Sequence, residues 1–160
     1  IVLEPFPDGV AVPRIDAARE LLGRVVKVDA QDVVKYTELP QYKAVLIYID
    51  TPSTTSSILT IADMIEEASR IGRYNRIVAR YTAPDEDSGG RVDIVLVSGP
   101  RLLFVNSFAA QDCVTAQYYI FAALRQFQIN PELTAVYLHG EVPFEMREDL
   151  FRYFPVVENL

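Results

Sequence analysis

The pattern of apolar and polar residues in the second half of the chain predicts a three-stranded meander. Residues 75–81 alternate between apolar and polar side chains, whereas residues 92–99 and 101–108 form nearly continuous apolar runs. Gly99 and Pro100 join the last two runs in a connection so short that the two strands must be antiparallel. The first connection is longer and polar, which is typical of an open hairpin loop.

An apolar helix follows the meander and leads to a fourth strand. Residues 113–127 are apolar nearly all round in their middle, so we expect both sides of this helix to be covered. Asp112 is placed to cap the first turn, and the pair Asn130-Pro131 is expected to stop the chain after residue 129. Because a helix crosses over to it, the strand at 134–140 is predicted to run parallel to its neighbour.

A last helix and a short end segment complete this half. Pro143 lies near the first turn of the helix, which leads to residues 156–160. Its apolar face comprises Met146, Leu150 and Phe154. The order β-β-β-α-β-α-β is that of a ribonuclease-H-like unit, from which actin-like ATPases are also built with two such lobes. We therefore predict an α/β protein of the actin-like ATPase or ribonuclease-H-like class with a mixed sheet in its second half.

The first half gives a weaker pattern. Residues 1–13 hold three prolines and predict an extended or turn-rich lead-in. A short helix follows, and Gly23 is placed to end it in a left-handed cap. The residues on its apolar face are Ile15, Ala18 and Leu22. We predict a strand at 24–29 and either an irregular connection or a second weak strand at 30–41.

A buried strand and an amphipathic helix close the first half. Residues 43–50 are the kind of apolar β run that is buried on both faces of a sheet, and the hydroxyl-rich stretch 51–57 can cap a helix. The helix carries a single apolar stripe of Ile58, Ile61, Ala62, Ile65 and Ala68. We place a boundary near Gly72, with a partial first lobe at 1–72 and a ribonuclease-H-like second lobe at 73–160.

Composition narrows the possible settings and partners. Half of the 160 residues are apolar, which suffices for one core or two small lobes, and the formal net charge of −7 argues against binding to nucleic acid or anionic lipid. The longest apolar runs fall far short of the roughly 20 residues of a bilayer crossing. Cys113, the single cysteine, excludes a disulfide framework and is expected to be a packing residue inside the helix. With Ile1 first and no signal-peptide pattern, we expect a piece of a longer cytoplasmic protein.

Several segments carry a family resemblance. They are ELPQYKAVLIYI at 38–49, RLLFVNSF at 101–108, the helix with Tyr118-Tyr119, AVYLHGEV at 135–142 and EMREDLFRYF at 145–154. Together they resemble an uncharacterised bacterial family, known only as a domain of unknown function and placed among actin-like ATPase folds. The resemblance covers roughly residues 13–160. It implies a fold and no settled activity.

An actin-like ATPase would need a tight glycine turn for phosphate and acidic residues for magnesium after the first strand of the lobe. That position holds Asp85, Asp87, Gly89 and Gly90. The acids and glycines are of the right kind, but the loop is too long for the compact cradle. These residues are the candidate nucleotide loop for ATP with magnesium.

The second phosphate-facing turn should follow the fourth strand, where such ATPases have a glycine pair against the adenosine. The chain has His139, Gly140 and Glu141 there, with a carboxylate in place of the second glycine. Its Cβ and negative charge are expected to crowd and repel a nucleotide. His139 is the only histidine and lacks a matching nucleophile, so we expect it to make a local hydrogen bond in the loop.

A nuclease of the ribonuclease H type would need carboxylates that converge on two metal ions. Asp93 and Asp112 are available, but the first strand carries none, and we interpret the two as a surface strand residue and a helix cap. Asn106 and Ser107 are candidates for polar recognition at the sheet edge. The favoured interpretation is that Asn106 bonds the neighbouring connection, because a buried amide must find partners.

Tyr118 and Tyr119 are expected to pack a helix interface with their hydroxyls satisfied, rather than to stack on bases, because no basic groove accompanies them.

These observations favour a non-catalytic actin-like scaffold that binds a protein partner, with no catalytic residue, no metal site and no resident cofactor. A divergent nucleotide-binding ATPase that uses magnesium is the first alternative. A metal-dependent nuclease is the second. No pattern in the sequence specifies the oligomeric state.

Overall fold

The computed structural model describes residues 1–5 and 14–160, with the side chain of Ser53 left aside. The described chain divides into two units, Ile1–Ala62 and Asp63–Leu160. This division falls within a helix and lies upstream of Gly72, where the sequence pattern places the boundary between lobes. The domain assignment at Gly72 stays a prediction.

The first unit contains a three-stranded antiparallel sheet and helices. Its elements are β1 (Val2–Pro5), α1 (Ile15–Gly23), β2 (Val34–Leu39), β3 (Ala44–Ile49) and the start of α2 (Pro52–Arg70). The strand order β1-β3-β2 places β3 in the centre, which explains why its residues are apolar without interruption. A small core forms between α1 and this sheet, from Ala18, Leu22, Val34, Val45 and Ile47. The predicted lead-in is a strand over its first residues, and its remainder lies outside the described residues.

Two predictions in this unit are wrong. Gly23 is not in the left-handed conformation; it is the last residue of α1, and Arg24 continues in the right-handed region. Segment 24–29 forms turns and an extended connection instead of a strand, because the backbone amides of Val25 and Val26 fold back onto the carbonyl of Leu22, each at 3.0 Å. The weak strand predicted within 30–41 is present as β2.

The cap predicted from the hydroxyl-rich stretch 51–57 is present at Thr51, whereas the rest of that stretch already belongs to α2. The Oγ1 of Thr51 accepts a hydrogen bond from the backbone N–H of Thr54 at 3.2 Å, which satisfies one of the amides that the first turn leaves unpaired. The buried residues of α2 include four members of the predicted stripe and Met64, whereas Ala62 is half-buried.

The second unit has the predicted order of elements. They are β4 (Asn75–Thr82), β5 (Arg91–Ser98), β6 (Arg101–Ala109), α3 (Cys113–Gln126), β7 (Thr134–Leu138), α4 (Phe144–Phe151) and β8 (Val156–Asn159). The strand order is β6-β5-β4-β7-β8; the meander is antiparallel, and the two strands reached through helices run parallel to their neighbours. The α/β class and mixed sheet are therefore confirmed.

The main core lies between one face of this sheet and the helices α3 and α4. Its largest fully buried side chains are Ile77, Ile94, Leu96, Ile120, Leu124 and Leu138. The predicted face of α4 is confirmed, since Met146 and Leu150 are buried in the same cluster together with Phe154. Among the described residues, no helix combines the length and the apolar character that crossing a bilayer requires.

The prediction that both sides of α3 are covered is wrong. One side packs on the sheet, whereas Val114 and Tyr118 on the opposite side are 74% and 63% exposed. Tyr119 meets the expectation of packing, because its ring stacks on Phe108 with centroids 4.2 Å apart. The helix also ends at Gln126, before the predicted stop, because Gln128 adopts a left-handed conformation with φ 55°.

The N-cap prediction for α3 is confirmed, because Asp112 accepts a hydrogen bond from the backbone N–H of Thr115 at 2.7 Å. Cys113 is the first residue of the helix and half-buried against the core. Burial raises the pKa of its thiol above the ordinary value, which fits a packing residue and not a nucleophile.

Candidate functional site

The two loops predicted to face phosphate both leave the same edge of the five-stranded sheet. Strands β4 and β7 are parallel neighbours, and the backbone N–H of His139 donates to the carbonyl of Ala79 at 2.9 Å, which extends their ladder beyond Leu138. Their carboxyl ends therefore meet at one edge, the usual position of ligand sites in open α/β sheets. The chemistry of this edge depends on what each loop does with its polar groups.

The loop after β4 closes on itself. The Oδ1 of Asp85 accepts hydrogen bonds from the backbone amides of Asp87 at 2.9 Å and Ser88 at 2.7 Å, and from the Ser88 hydroxyl at 2.9 Å. The Asp85 amide in turn donates to the carbonyl of Ser88 at 3.0 Å. The carboxylate and the amides that a phosphate and its magnesium would need are thus bonded to each other.

Gly90 serves the packing of this loop. A Cβ at this position would lie 2.1 Å from the backbone oxygen of Ala110 and 2.9 Å from Cδ of Pro84. The backbone confirms the close approach, since the amide of Ala110 donates to the carbonyl of Gly90 at 2.8 Å. Gly89 lies beside Gln111, whose Nε2 would be 3.6 Å from an added Cβ. Both glycines therefore face the connection between β6 and α3.

The turn at Asp85 gives the loop a defined response to acid. Hydrogen bonds from the Ser88 side chain and then from the Asp87 and Ser88 amides hold the pKa of Asp85 below its ordinary value of 3.8. A depressed folded-state pKa contributes stability that is fully present above pH 3.8 and is lost as the pH falls through the lower value. We expect a carboxyl NMR titration of the native chain to place the pKa of Asp85 below 3.8, and Asp85→Asn to keep the turn while removing this acid dependence. A pKa of Asp85 at or above 3.8 would contradict the closed turn.

The loop after β7 places its histidine against α2. The Nδ1 of His139 lies 2.7 Å from Oε2 of Glu67, a hydrogen bond between half-buried side chains. Asp63, Glu66 and Arg70 complete the lining of a shallow cleft of about 220 Å³ around this pair. The hydrogen bond predicted for His139 exists, but it joins residues far apart in the chain and is not local as expected. Within the described part of the chain, no three acidic, histidine or cysteine side chains gather in a way that would hold a metal ion.

Gly140 and Glu141 differ from each other in environment. Gly140 has a positive φ of 77°, and a Cβ there would meet nothing within 4 Å, so its glycine is required by conformation and not by close packing. Glu141 is exposed. Among the described residues, no hydrogen bond or ion pair joins this loop to Asp85 or Asp87, because the first loop bonds itself and packs on the β6–α3 connection.

The residues present do not match what magnesium and a nucleotide require. The amides of Asp87 and Ser88 donate to a side chain, and Oδ1 of that side chain, Asp85, accepts these two bonds and a third from the Ser88 hydroxyl. The backbone of Ala110 fills the space beside Gly90, where a phosphate cradle would need open backbone. We therefore assign no chemical step to a nucleotide at this edge.

Asp93 and Ser107 form a structural network with Arg91 on strands β5 and β6. Asp93 is fully buried, which makes its interpretation as a surface residue wrong. Its Oδ1 and Oδ2 lie 3.1 Å from Nε and Nη2 of Arg91, and the Ser107 hydroxyl donates to the same carboxylate. A carboxylate buried and paired in this way is not presented to a nucleic-acid substrate, so the nuclease hypothesis gains no support from it.

Asn106 does not bond a neighbouring connection as predicted. Its Oδ1 accepts a hydrogen bond from the backbone N–H of Ser107 at 2.8 Å, within the same strand. The pair Asn106-Ser107 thus consists of one residue that bonds its own backbone and one that bonds a buried carboxylate.

Two residues that matter at this edge were missed by sequence reasoning. Glu67 lies in the polar part of the amphipathic pattern of α2, where a carboxylate is usually only solvated. Arg91 opens β5 two residues before Asp93, and this i, i+2 spacing places both on one face of a strand. That spacing is the signal by which the second pair could have been found.

Comparisons with known proteins agree with this architecture. Residues 87–157 match the model of a family described as "Protein of unknown function (DUF3822)". The chain is also similar to a Bacteroides thetaiotaomicron protein described as having an actin-like ATPase fold and unknown function, with a TM-score of 0.71 and 18% sequence identity. No curated protein matches the chain.

The alignment with the Bacteroides protein covers 99% of this chain but 64% of that protein, so this chain spans less than two thirds of its length. At 18% identity the likeness extends to the fold alone. The two findings confirm the predicted resemblance to an uncharacterised family with an actin-like ATPase fold.

Proposed function

We propose that this chain is a non-catalytic actin-like module that acts by binding a protein partner. The observation that carries the proposal is the closed loop after β4, in which the Asp85 carboxylate is bonded by the Asp87 and Ser88 amides. An actin-like ATPase would need those donors and that carboxylate for phosphate and magnesium. A protein that retains the fold while its phosphate loop is bonded internally can still act by binding a partner at its surface.

One observation favours the alternative, a divergent nucleotide-binding protein. Gly140 adopts a positive φ with open space around it, two residues after the parallel strand β7 and four residues before the start of α4. Such a turn permits close approach of a ligand to the backbone. The alternative would also require the Asp85 turn to open.

The two functions are separated by nucleotide titration of the full chain. A ligand at one hundred times its Kd stabilises a protein by about 2.7 kcal/mol, which raises the Tm of a chain of this size by roughly 5–10 °C. We expect ATP and ADP with magnesium to raise the Tm by less than about 1 °C in thermal-shift measurements, and to give no saturable heat in calorimetry.

A saturable stabilisation by ATP would overturn the proposal in favour of the alternative. Asp85→Ala, with Asp87→Ala as its matched control, then locates the binding. Loss of ATP stabilisation in Asp85→Ala alone assigns the nucleotide to the loop after β4.

A further inference from the structure

Among the residues that the structure describes, strand β6 is the least protected edge of either sheet. It lies at one end of the order β6-β5-β4-β7-β8, is nine residues long, and carries no charge and no proline after Arg101. The other edges are short or carry residues that discourage strand addition. These are Glu4 and Pro5 of β1, Lys35 and Glu38 of β2, and Glu158 of β8. Natural sheets protect their edges with charges, prolines, short strands and bulges, so an unprotected edge indicates a surface that accepts another strand.

One bulge divides β6 into two parts. Leu96 is opposite Phe104 and Val97 is opposite Leu102, so Leu103 is the extra residue. The six residues from Phe104 to Ala109 follow without further interruption and provide a regular edge.

The direction of the backbone groups in this regular part follows from two hydrogen bonds. The amide of Ala110 donates to the carbonyl of Gly90 on the β5 side, and antiparallel ladders alternate between inward and outward residues. Asn106 and Phe108 therefore face β5 with their backbone groups, whereas Val105 and Ser107 face outward. The hydrogen bond from the Ser107 N–H to the Asn106 side chain supports this phase independently, because that amide does not bond β5.

We propose that β6 pairs antiparallel with β6 of a second copy of this chain, about a two-fold axis at Asn106. In this register Val105 faces Ser107 of the partner subunit, and the two outward-facing residues exchange both backbone hydrogen bonds; the symmetry repeats them. Phe104 lies opposite Phe108 of the partner subunit on the same face, a favourable cross-strand aromatic pair. Asn106 meets Asn106 of the partner subunit at the axis, in a pair without backbone hydrogen bonds.

A second copy suits this edge better than a charged peptide. The regular part of β6 has no charge with which to select a basic or acidic segment, and two copies bring no like charges opposite each other within it. In the proposed register Val105 meets Ser107 of the partner subunit, and Ser107 meets Val105 of the partner subunit, as an interface between identical surfaces requires. In the single copy, the backbone N–H of Ser107 donates to the side-chain oxygen of Asn106. In the dimer a backbone carbonyl of the second copy accepts this hydrogen bond instead, and the Asn106 side chain is released.

This inference names a partner for the interaction module and in that respect rests on the proposed function. The two fail separately, because nucleotide titration tests the function and the association state tests the pairing. A monomer that ignores ATP would leave the proposed function in place and overturn the pairing.

The first experiment is sedimentation velocity of the full chain over a concentration series. We expect a monomer–dimer equilibrium for the native chain. Asn106→Asp keeps an acceptor for the Ser107 amide but places two carboxylates opposite each other at the axis, so we expect the dimer to be lost. Asn106→Ala frees the Ser107 amide, so we expect the dimer to form at lower concentration. Gln31→Glu makes the same change of net charge at an exposed residue of the other unit and is expected to leave the equilibrium unchanged.

The second experiment tests the register. Cα atoms opposite each other in a pair without backbone hydrogen bonds lie about 4.5 Å apart, within disulfide range. In a Cys113→Ser background, we expect Asn106→Cys to form an intersubunit disulfide on mild oxidation. Ala109→Cys on the same strand is the matched control, because the register separates the two copies of residue 109 by roughly 20 Å.

The outcomes decide the proposal. A dimer that is lost in Asn106→Asp and cross-linked through residue 106 alone supports it. A monomer at every concentration that is not cross-linked through residue 106 overturns it, as does a dimer that Asn106→Asp leaves intact. Binding of a different protein's strand to β6 in a chain that stays monomeric would also overturn it.

Discussion

Replacing Arg76 with leucine is expected to lower the free energy of unfolding by about 3 kcal/mol. Arg76 is 6% exposed, and its guanidinium donates to four backbone carbonyls. These are Ala68 at 2.6 Å, Arg73 at 2.7 Å, and Tyr74 and Gly99 at 3.2 Å each. The side chain thus ties the end of α2, the connection to β4 and the β5–β6 turn together, and its loss leaves carbonyls without their charged donor.

The measurement is the urea midpoint or the Tm, which should fall by roughly 6–12 °C for a chain of this size. Arg76→Lys retains the charge but not the planar fork, so we expect it to recover only part of the loss. Arg70→Leu is the matched control, because Arg70 is exposed and pairs with Glu66 one turn away, an interaction worth about 0.5 kcal/mol or less. Equal losses in Arg76→Leu and Arg70→Leu would contradict the role of the buried guanidinium.

The order of elements in the second half could be predicted because the apolar pattern and the turn residues that define each element lie within its own segment of the sequence. Strands β5 and β6 are apolar runs joined at Gly99, whose φ of 56° makes the tight turn possible. The segment 24–29 shows the opposite situation. Its valines have strand propensity, yet Arg19 bonds the carbonyls of Asp29 and Asp32 and holds the segment in turns. Strand propensity is realised only where a partner strand is available.

The candidate site could be located but not described from the sequence. The positions of the two loops follow from the order of strands, because parallel neighbours end at one edge. The polar contacts do not follow, since His139 and Glu67 are brought together only by the packing of α2. The closed turn at Asp85 involves residues two and three positions away and was within reach of local reasoning about turns.

Removing the Asp93 carboxylate is expected to destabilise the protein by about 2–3 kcal/mol. Asp93 is fully buried and paired with Arg91 and Ser107, so Asp93→Ala leaves a guanidinium and a hydroxyl without their acceptor. Asp93→Asn retains an acceptor without the charge, so its free energy of unfolding should fall by less than that of Asp93→Ala. A double-mutant cycle of Asp93→Ala and Ser107→Ala measures the interaction free energy between the two side chains. We expect a coupling of about 1 kcal/mol.

The sign of the change in the free energy of unfolding distinguishes a structural carboxylate from a catalytic one. Carboxylates held together for metal-dependent catalysis repel each other, so removing one of them commonly stabilises an enzyme while abolishing its activity. Asp93 faces a cation and a donor, so its removal should destabilise the fold. We expect no manganese-dependent cleavage of nucleic acid by the native chain or by Asp93→Ala. Cleavage that is lost in a variant more stable than the native chain would restore the nuclease hypothesis, because only a carboxylate placed for metal chemistry produces that combination.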